Sequence, residues 1–181
     1  MSRYDDACAW LRDRGTETVE HPGGTLYAHL LRIHDRLGAV GHDETVRLAG
    51  LTHAAYGTDG FDLTLLDPAD RAPLRALVGV DAERLVHWYG ACDRRRTWRN
   101  LATSGQVVDR HTGRAGTLPP RWRRPFVDLS IVNELDVMAY DPTVAQRYGD
   151  YFRTLFAAWS AVASPDVTAE ARRLLGDDRP D

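Results

Sequence analysis

Three of the seven histidines sit where an imidazole could act on a bound molecule. His29 lies on the apolar stripe of a helix-patterned run, with Leu26 and Ile33 at helical spacing. His53 falls one turn past Gly50 and two past Val46, at the end of the next apolar run. His21 heads the segment HPGG, a turn that can fold it back over the start of the helix bearing His29. An unperturbed imidazole titrates close to neutral pH, so rings gathered at one pocket suit general acid–base catalysis. His34, His42, His87 and His111 are expected in polar surroundings or on surface faces.

A third helix supplies polar company. In FVDLSIVNELDVMAY, residues Phe126, Leu129, Asn133, Asp136, Val137 and Tyr140 fall on one face. Asn133 and Asp136 therefore interrupt a stripe that should be buried. Left without partners they would cost about 1–3 kcal/mol each, so they should meet the inward histidines. Tyr56 follows His53 by three residues and is placed over the same pocket mouth, either donating to a developing oxyanion or capping the core with its ring. Thr58, between Gly57 and Gly60, offers hydroxyl and backbone donors to a phosphate or carboxylate. Asp93 and Arg94 are read as ending a helix, where they either pair at the surface or orient a substrate from the rim. The expected catalytic set is thus His29, His53, His21 and Tyr56. The expected substrate-binding set is Thr58, Asp93, Arg94 and Asn133.

Most of the chain has the periodicity needed to build such helices. One run covers 3–14 and stops at Gly15; another covers about 25–38; a third is capped by Asp43 and leads to His53. LLDPADRAPLRALVG reads as an acid-capped short helix ending at Gly79, and Asp81 as the cap of the longer DAERLVHWYGACDRRR. The region 100–120 is the non-helical exception, and QVVDRHTGRAGTL within it reads as a hairpin at about 105–118. PPRWRRP leads into the helix bearing Asn133, and two further helices follow. The expected fold is all-α, a single helical domain over 1–163 with that hairpin excursion. Residues 164–181 add a last helix and an acidic tail.

Bulk properties bound the partners. At 181 residues the chain is long enough for one well-buried core. All 23 basic residues are arginines, which removes lysine Schiff-base chemistry. A net charge of -3 gives no global attraction to nucleic acid, although Arg94–Arg96 and Arg121, Arg123 and Arg124 cluster locally. Cys8 and Cys92 have no metal or disulfide spacing. The longest apolar stretch, LFAAWSAVA, is too short to span a bilayer, and the acidic N-terminus is unlike a signal peptide. The expectation is a cytoplasmic protein acting on a small molecule, with neither nucleic acid nor membrane as partner.

HPGGTLYAHLL followed by LAGLTHAAYGT, with IVNEL further on, resembles the HD superfamily. The resemblance covers about residues 20–140 and is nearest to small bacterial HD-like proteins. It implies an HD-like helical bundle, a phosphohydrolase-type pocket and an optional homodimer. In that family a histidine, a His-Asp pair and a distant aspartate bind divalent metal. Here His29 and His53 match the histidines, but Ala54 stands in place of the paired aspartate and Asn133 in place of the distant one. Alanine offers no ligand and asparagine only a weak neutral oxygen. Three outcomes follow. The site works without metal, His29 and His53 serving directly as acid and base in hydrolysis, dehydration, isomerisation or cyclisation. Alternatively it is rebuilt for zinc, manganese or iron from His29, His53 and Asp136, with His21 assisting, as a hydrolase or oxygenase. Glu134 is the poorer ligand, about 100° around the helix from Asn133. Lastly, the domain binds a ligand or partner without catalysis.

Overall fold

Caps and glycine turns set the helix boundaries in the computed structural model, which describes residues 2–61 and 63–176. Ser2 and Asp5 close a reciprocal capping box on α1 (Arg3–Asp13). Strands β1 (Glu20–His21) and β2 (Gly24–Thr25) pair antiparallel around the HPGG turn. Gly23 at its tip has a φ of 80°, and a Cβ there would meet the Tyr140 ring at 2.6 Å, so both conformation and space demand glycine. Thr25 accepts the Ala28 N–H to start α2 (Leu26–Ala39), and Asp43 accepts the Val46 N–H to start α3 (Glu44–Leu51).

The next helices depart from the sequence expectation. Arg71, not an acid, precedes α4 (Ala72–Val78), and Gly79, not Asp81, precedes α5 (Val80–Ala91). Asp81 lies inside the first turn of α5, where a carboxylate still favours the positive helix end. Cys92 is extended (φ -66°, ψ 119°) and breaks the expected long helix. Asp93 then caps a new one, α6 (Arg94–Thr97), by accepting the Arg96 N–H. A 3-10 turn (Trp98–Asn100) and α7 (Leu101–Ser104) lead to a hairpin of β3 (Gln106–Val108) and β4 (Ala115–Thr117), at the place expected for it.

The chain closes with α8 (Pro120–Tyr140), α9 (Pro142–Trp159) and α10 (Pro165–Leu175). Helix α8 starts earlier than PPRWRRP suggested and runs through Pro125, its sixth residue, which has no N–H to give the Arg121 carbonyl. It is the centre of the fold: every residue from Phe126 to Asp136 is buried. Helices α2, α9 and α10 pack on it, α3 bridges α2 and α5, and α1 covers α4. Leu30, Ile33, Leu37, Leu85, Phe126 and Ile131 are fully buried in one continuous core. Val167 and Ala171 of α10 join that same core. The acidic end of the expected tail, 177–181, lies outside the described residues. The fold is all-α with small antiparallel hairpins. Among the described residues no helix is long and apolar enough to cross a membrane.

His34 is a correction to the surface placement: it is buried, its ring 4.7 Å from that of Tyr4 on α1 and its Nδ1 on Asp35. His42 is also largely covered, with its Nε2 donating to the buried Asp128 at 2.8 Å.

Candidate functional site

Three separate segments bring the expected histidines together. The β1–β2 turn lays His21 flat on His29, with ring centroids 4.1 Å apart. His53 meets the other side of His29 edge-on at 5.3 Å, and Tyr89 closes behind His53 at 5.4 Å. His21 and His53 flank a cavity of about 250 Å³, whose wall includes Thr58, Asp59, Arg94, Asn133 and Glu134.

His53 is held in one orientation. The chain leaves α3 at Thr52, and in the turn that follows the His53 Nδ1–H donates to the Gly50 carbonyl at 2.7 Å. That bond fixes the tautomer and leaves Nε2 with its lone pair. Among the described residues Nε2 has no hydrogen-bond partner. Burial, reinforced by the charge of His29 nearby, pushes the His53 pKa down to about 3. His21 is lowered to about 4 for the same two reasons. Both rings are therefore neutral at pH 7.

His29 has a different office from the one expected. Its Nδ1–H donates to Asp136 Oδ2 at 2.7 Å, and its Nε2 stands 3.1 Å from Asn133 Oδ1. The Asn133 amide cannot turn freely, because its Nδ2 donates to Glu134 Oε1 at 2.9 Å. Both His29 nitrogens thus face protein oxygens, so His29 is a positioning group with no nitrogen left for a substrate. Asp136 is likewise engaged, accepting from Arg32 Nε at 3.0 Å and from a terminal Arg32 nitrogen at 2.8 Å. Burial alone would raise the Asp136 carboxyl; hydrogen bonds from His29 and Arg32 outweigh it and hold the acid well below the usual range.

The opposite wall belongs to Arg94. The break at Cys92 swings the chain so that Arg94, expected on the rim, points inward with only 19% of its side chain exposed. It donates to Glu134 Oε1 at 2.8 Å and to the Tyr89 hydroxyl at 3.0 Å, while its backbone N–H is taken by Asp59. Burial works against its charge, but Tyr89 and Glu134 outweigh that and keep the guanidinium protonated. A continuous chain of hydrogen bonds therefore runs from Arg94 through Glu134, Asn133, His29 and Asp136 to Arg32.

Two expected site residues lie elsewhere. Tyr56 does not reach the cavity: past Leu51 the backbone is no longer helical, and its hydroxyl donates to Glu83 at 3.0 Å on the far side. Asp93 is spent capping α6 and does not line the cavity. Asp59 and Tyr89 are participants that spacing did not single out, and Glu134 is one that it ranked below Asp136. The signal for Glu134 was its place beside Asn133 on a helix too buried to have an outer face.

The donors do not fit the divalent metal of the HD resemblance. Both His29 nitrogens and the Asp136 carboxylate are committed to protein partners, and Ala54, which lines the cavity, supplies no ligand. Among the described residues no three His, Cys, Asp or Glu side chains are arranged to hold a metal ion. Of the rebuilt set His29, His53 and Asp136, only His53 keeps a free nitrogen, and one donor does not hold a divalent ion.

Comparison with known proteins adds one match. Residues 10–94 match the model of a family described as a domain of unknown function (DUF6817), a span containing His21, His29, His53 and Arg94 but not Asn133, Glu134 or Asp136. No curated protein and no solved structure matches the chain.

Proposed function

We propose that the protein is a small-molecule enzyme that works by metal-free acid–base chemistry, with His53 Nε2 as the proton acceptor. The observation that carries this reading is the fixed His53 tautomer, its unpartnered Nε2 lining a cavity whose opposite wall carries a permanently charged arginine. A substrate proton passes to Nε2, and the charge left on the substrate is stabilised by Arg94. His21 lines the cavity beside His29 and is the second ring able to exchange a proton with the bound molecule. The low proton affinity of His53 suits a substrate that is anionic or becomes so, because negative charge beside the ring offsets the repulsion from His29. Hydrolysis, dehydration, isomerisation and cyclisation all fit this arrangement. The HD-like resemblance of the sequence supports such a pocket, with the metal's electrophilic part taken over by Arg94.

The test is a turnover screen of small carboxylates and phosphate esters followed by NMR, using wild type, His53→Gln and His21→Gln. Loss of a general base reduces rate by about a hundredfold or more, so His53→Gln should fall at least that far while staying folded. Turnover retained within about twofold in that variant contradicts the assignment. The second reading, a pocket that binds without catalysis, is favoured by the weak basicity of His53. It predicts ligand-induced thermal shifts with no conversion.

A further inference from the structure

A second cleft, of about 580 Å³, opens on another face between α4, α5 and the β3–β4 hairpin. Arg71, Arg75, Arg84 and Arg114 line it, contributed by the approach to α4, by α4, by α5 and by the hairpin. Beneath them Glu83 is fully buried and accepts from Arg71 Nε at 2.6 Å, from a second Arg71 nitrogen at 2.8 Å and from Arg75 Nε at 3.0 Å. These bonds fix two guanidinium stems before any ligand arrives, which lowers the ordering cost of binding. Among the described residues, Arg71 Nη1 and both terminal nitrogens of Arg75 have no hydrogen-bond acceptor. Arg84 reaches Asp81 only at 3.9 Å, an acid already held by Arg121 at 2.9 Å.

We propose that this cleft binds a planar aromatic molecule carrying a phosphate group, of the chemical class of nucleoside monophosphates. Four guanidiniums from different segments converge on one cleft, and a phosphate monoester answers them with three oxygens and nearly twice the charge of a carboxylate. Glu83 and Asp109 offset two of the four charges and Arg121 offsets Asp81, which leaves a surplus of two positive charges, close to the charge of about -2 on such a phosphate. Trp88 supplies the aromatic wall. Its indole is half-buried and backs onto Gly116, where a Cβ would sit 2.7 Å from the ring, so the hairpin is shaped around it. Asp109 uses Oδ1 to hold the turn through the His111 and Thr112 N–H groups, leaving Oδ2 to accept from a ring amino group. The volume lies within the range of about 300–1,000 Å³ of small-molecule sites.

Isothermal titration with AMP, GMP, CMP and UMP, alongside adenosine and inorganic phosphate, tests the proposal. Arg84→Ala and Arg114→Ala are the variants of choice, since both side chains are exposed and neither holds the buried Glu83. At least one monophosphate should bind with a Kd below about 1 mM, weakening by about tenfold in each variant and with rising salt. Adenosine and inorganic phosphate alone should each bind at least about tenfold more weakly than that monophosphate. Absence of binding by all four monophosphates overturns the proposal. So does binding unchanged in both variants, or inorganic phosphate binding as tightly as the monophosphates.

Discussion

Replacing His53 by glutamine should flatten the acid side of the protein's stability profile. The folded ring has a pKa of about 3, whereas the same ring in the unfolded chain has its ordinary value of 6.5. Below 6.5 the unfolded chain takes up a proton that the folded ring refuses, so protonation favours unfolding. The contribution is fully present above pH 6.5 and is lost as pH falls from 6.5 towards 3. Each pH unit across that window costs about 1.4 kcal/mol, and the part lost between pH 7 and pH 5 comes to about 2 kcal/mol. His53 is 3% exposed, so solvent screening removes little of this. Urea titrations at pH 7 and pH 5 read the difference directly. Wild type should lose about 2 kcal/mol more than His53→Gln over that interval, since His21 and the carboxylates are common to both. Parallel losses in the two proteins would refute the claim that His53 is buried as a neutral imidazole.

Other perturbations probe its surroundings. Asp136→Asn strips the counter-charge from His29 and Arg32 and should cost about 2–4 kcal/mol in chemical denaturation at pH 7, a penalty absent only if the pair is not formed. The Asp136 carboxyl is held low, so the stabilisation it gives is present above the usual carboxylate range and disappears only as pH drops through its depressed value. Gly50→Ala would drive a Cβ into Leu37 Cδ1 and displace the carbonyl that anchors His53, with a loss of about 1–3 kcal/mol in thermal or urea unfolding. Ala54→Asp combined with Asn133→Asp should create manganese or zinc binding, measured by calorimetry, that wild type lacks. If the double variant binds no metal, the correspondence with the HD motif is wrong at those positions.

Helical spacing placed His29 of α2 and Asn133 of α8 inward, and His53 faces them although it lies just past the end of α3, because its bond to the Gly50 carbonyl holds it close to the helical direction. The same logic failed on α8. Rotating Glu134 by about 100° from Asn133 points it outward only on a helix that has an outside, and α8 is enclosed on every side over that stretch. Arg94 was hidden by a single backbone dihedral: continuing α5 through Cys92 leaves Arg94 on the rim, while the extended residue turns it into the cavity. Tyr56 was misplaced for the converse reason, since helical spacing was carried past the point where α3 ends. The acid–base partners of His29 depend on side-chain geometry across a sequence separation of about a hundred residues, which no local pattern encodes.

The decisive measurement is nitrogen-15 NMR of the histidine side chains, followed from pH 8 down to pH 4. The His53 ring should keep its proton on Nδ1 and an unprotonated Nε2 throughout that range, and the Nε2 signal should move when an anionic ligand enters the cavity. A His53 ring that titrates near 6.5, or that carries its proton on Nε2 at neutral pH, would contradict the assignment of this atom as the base.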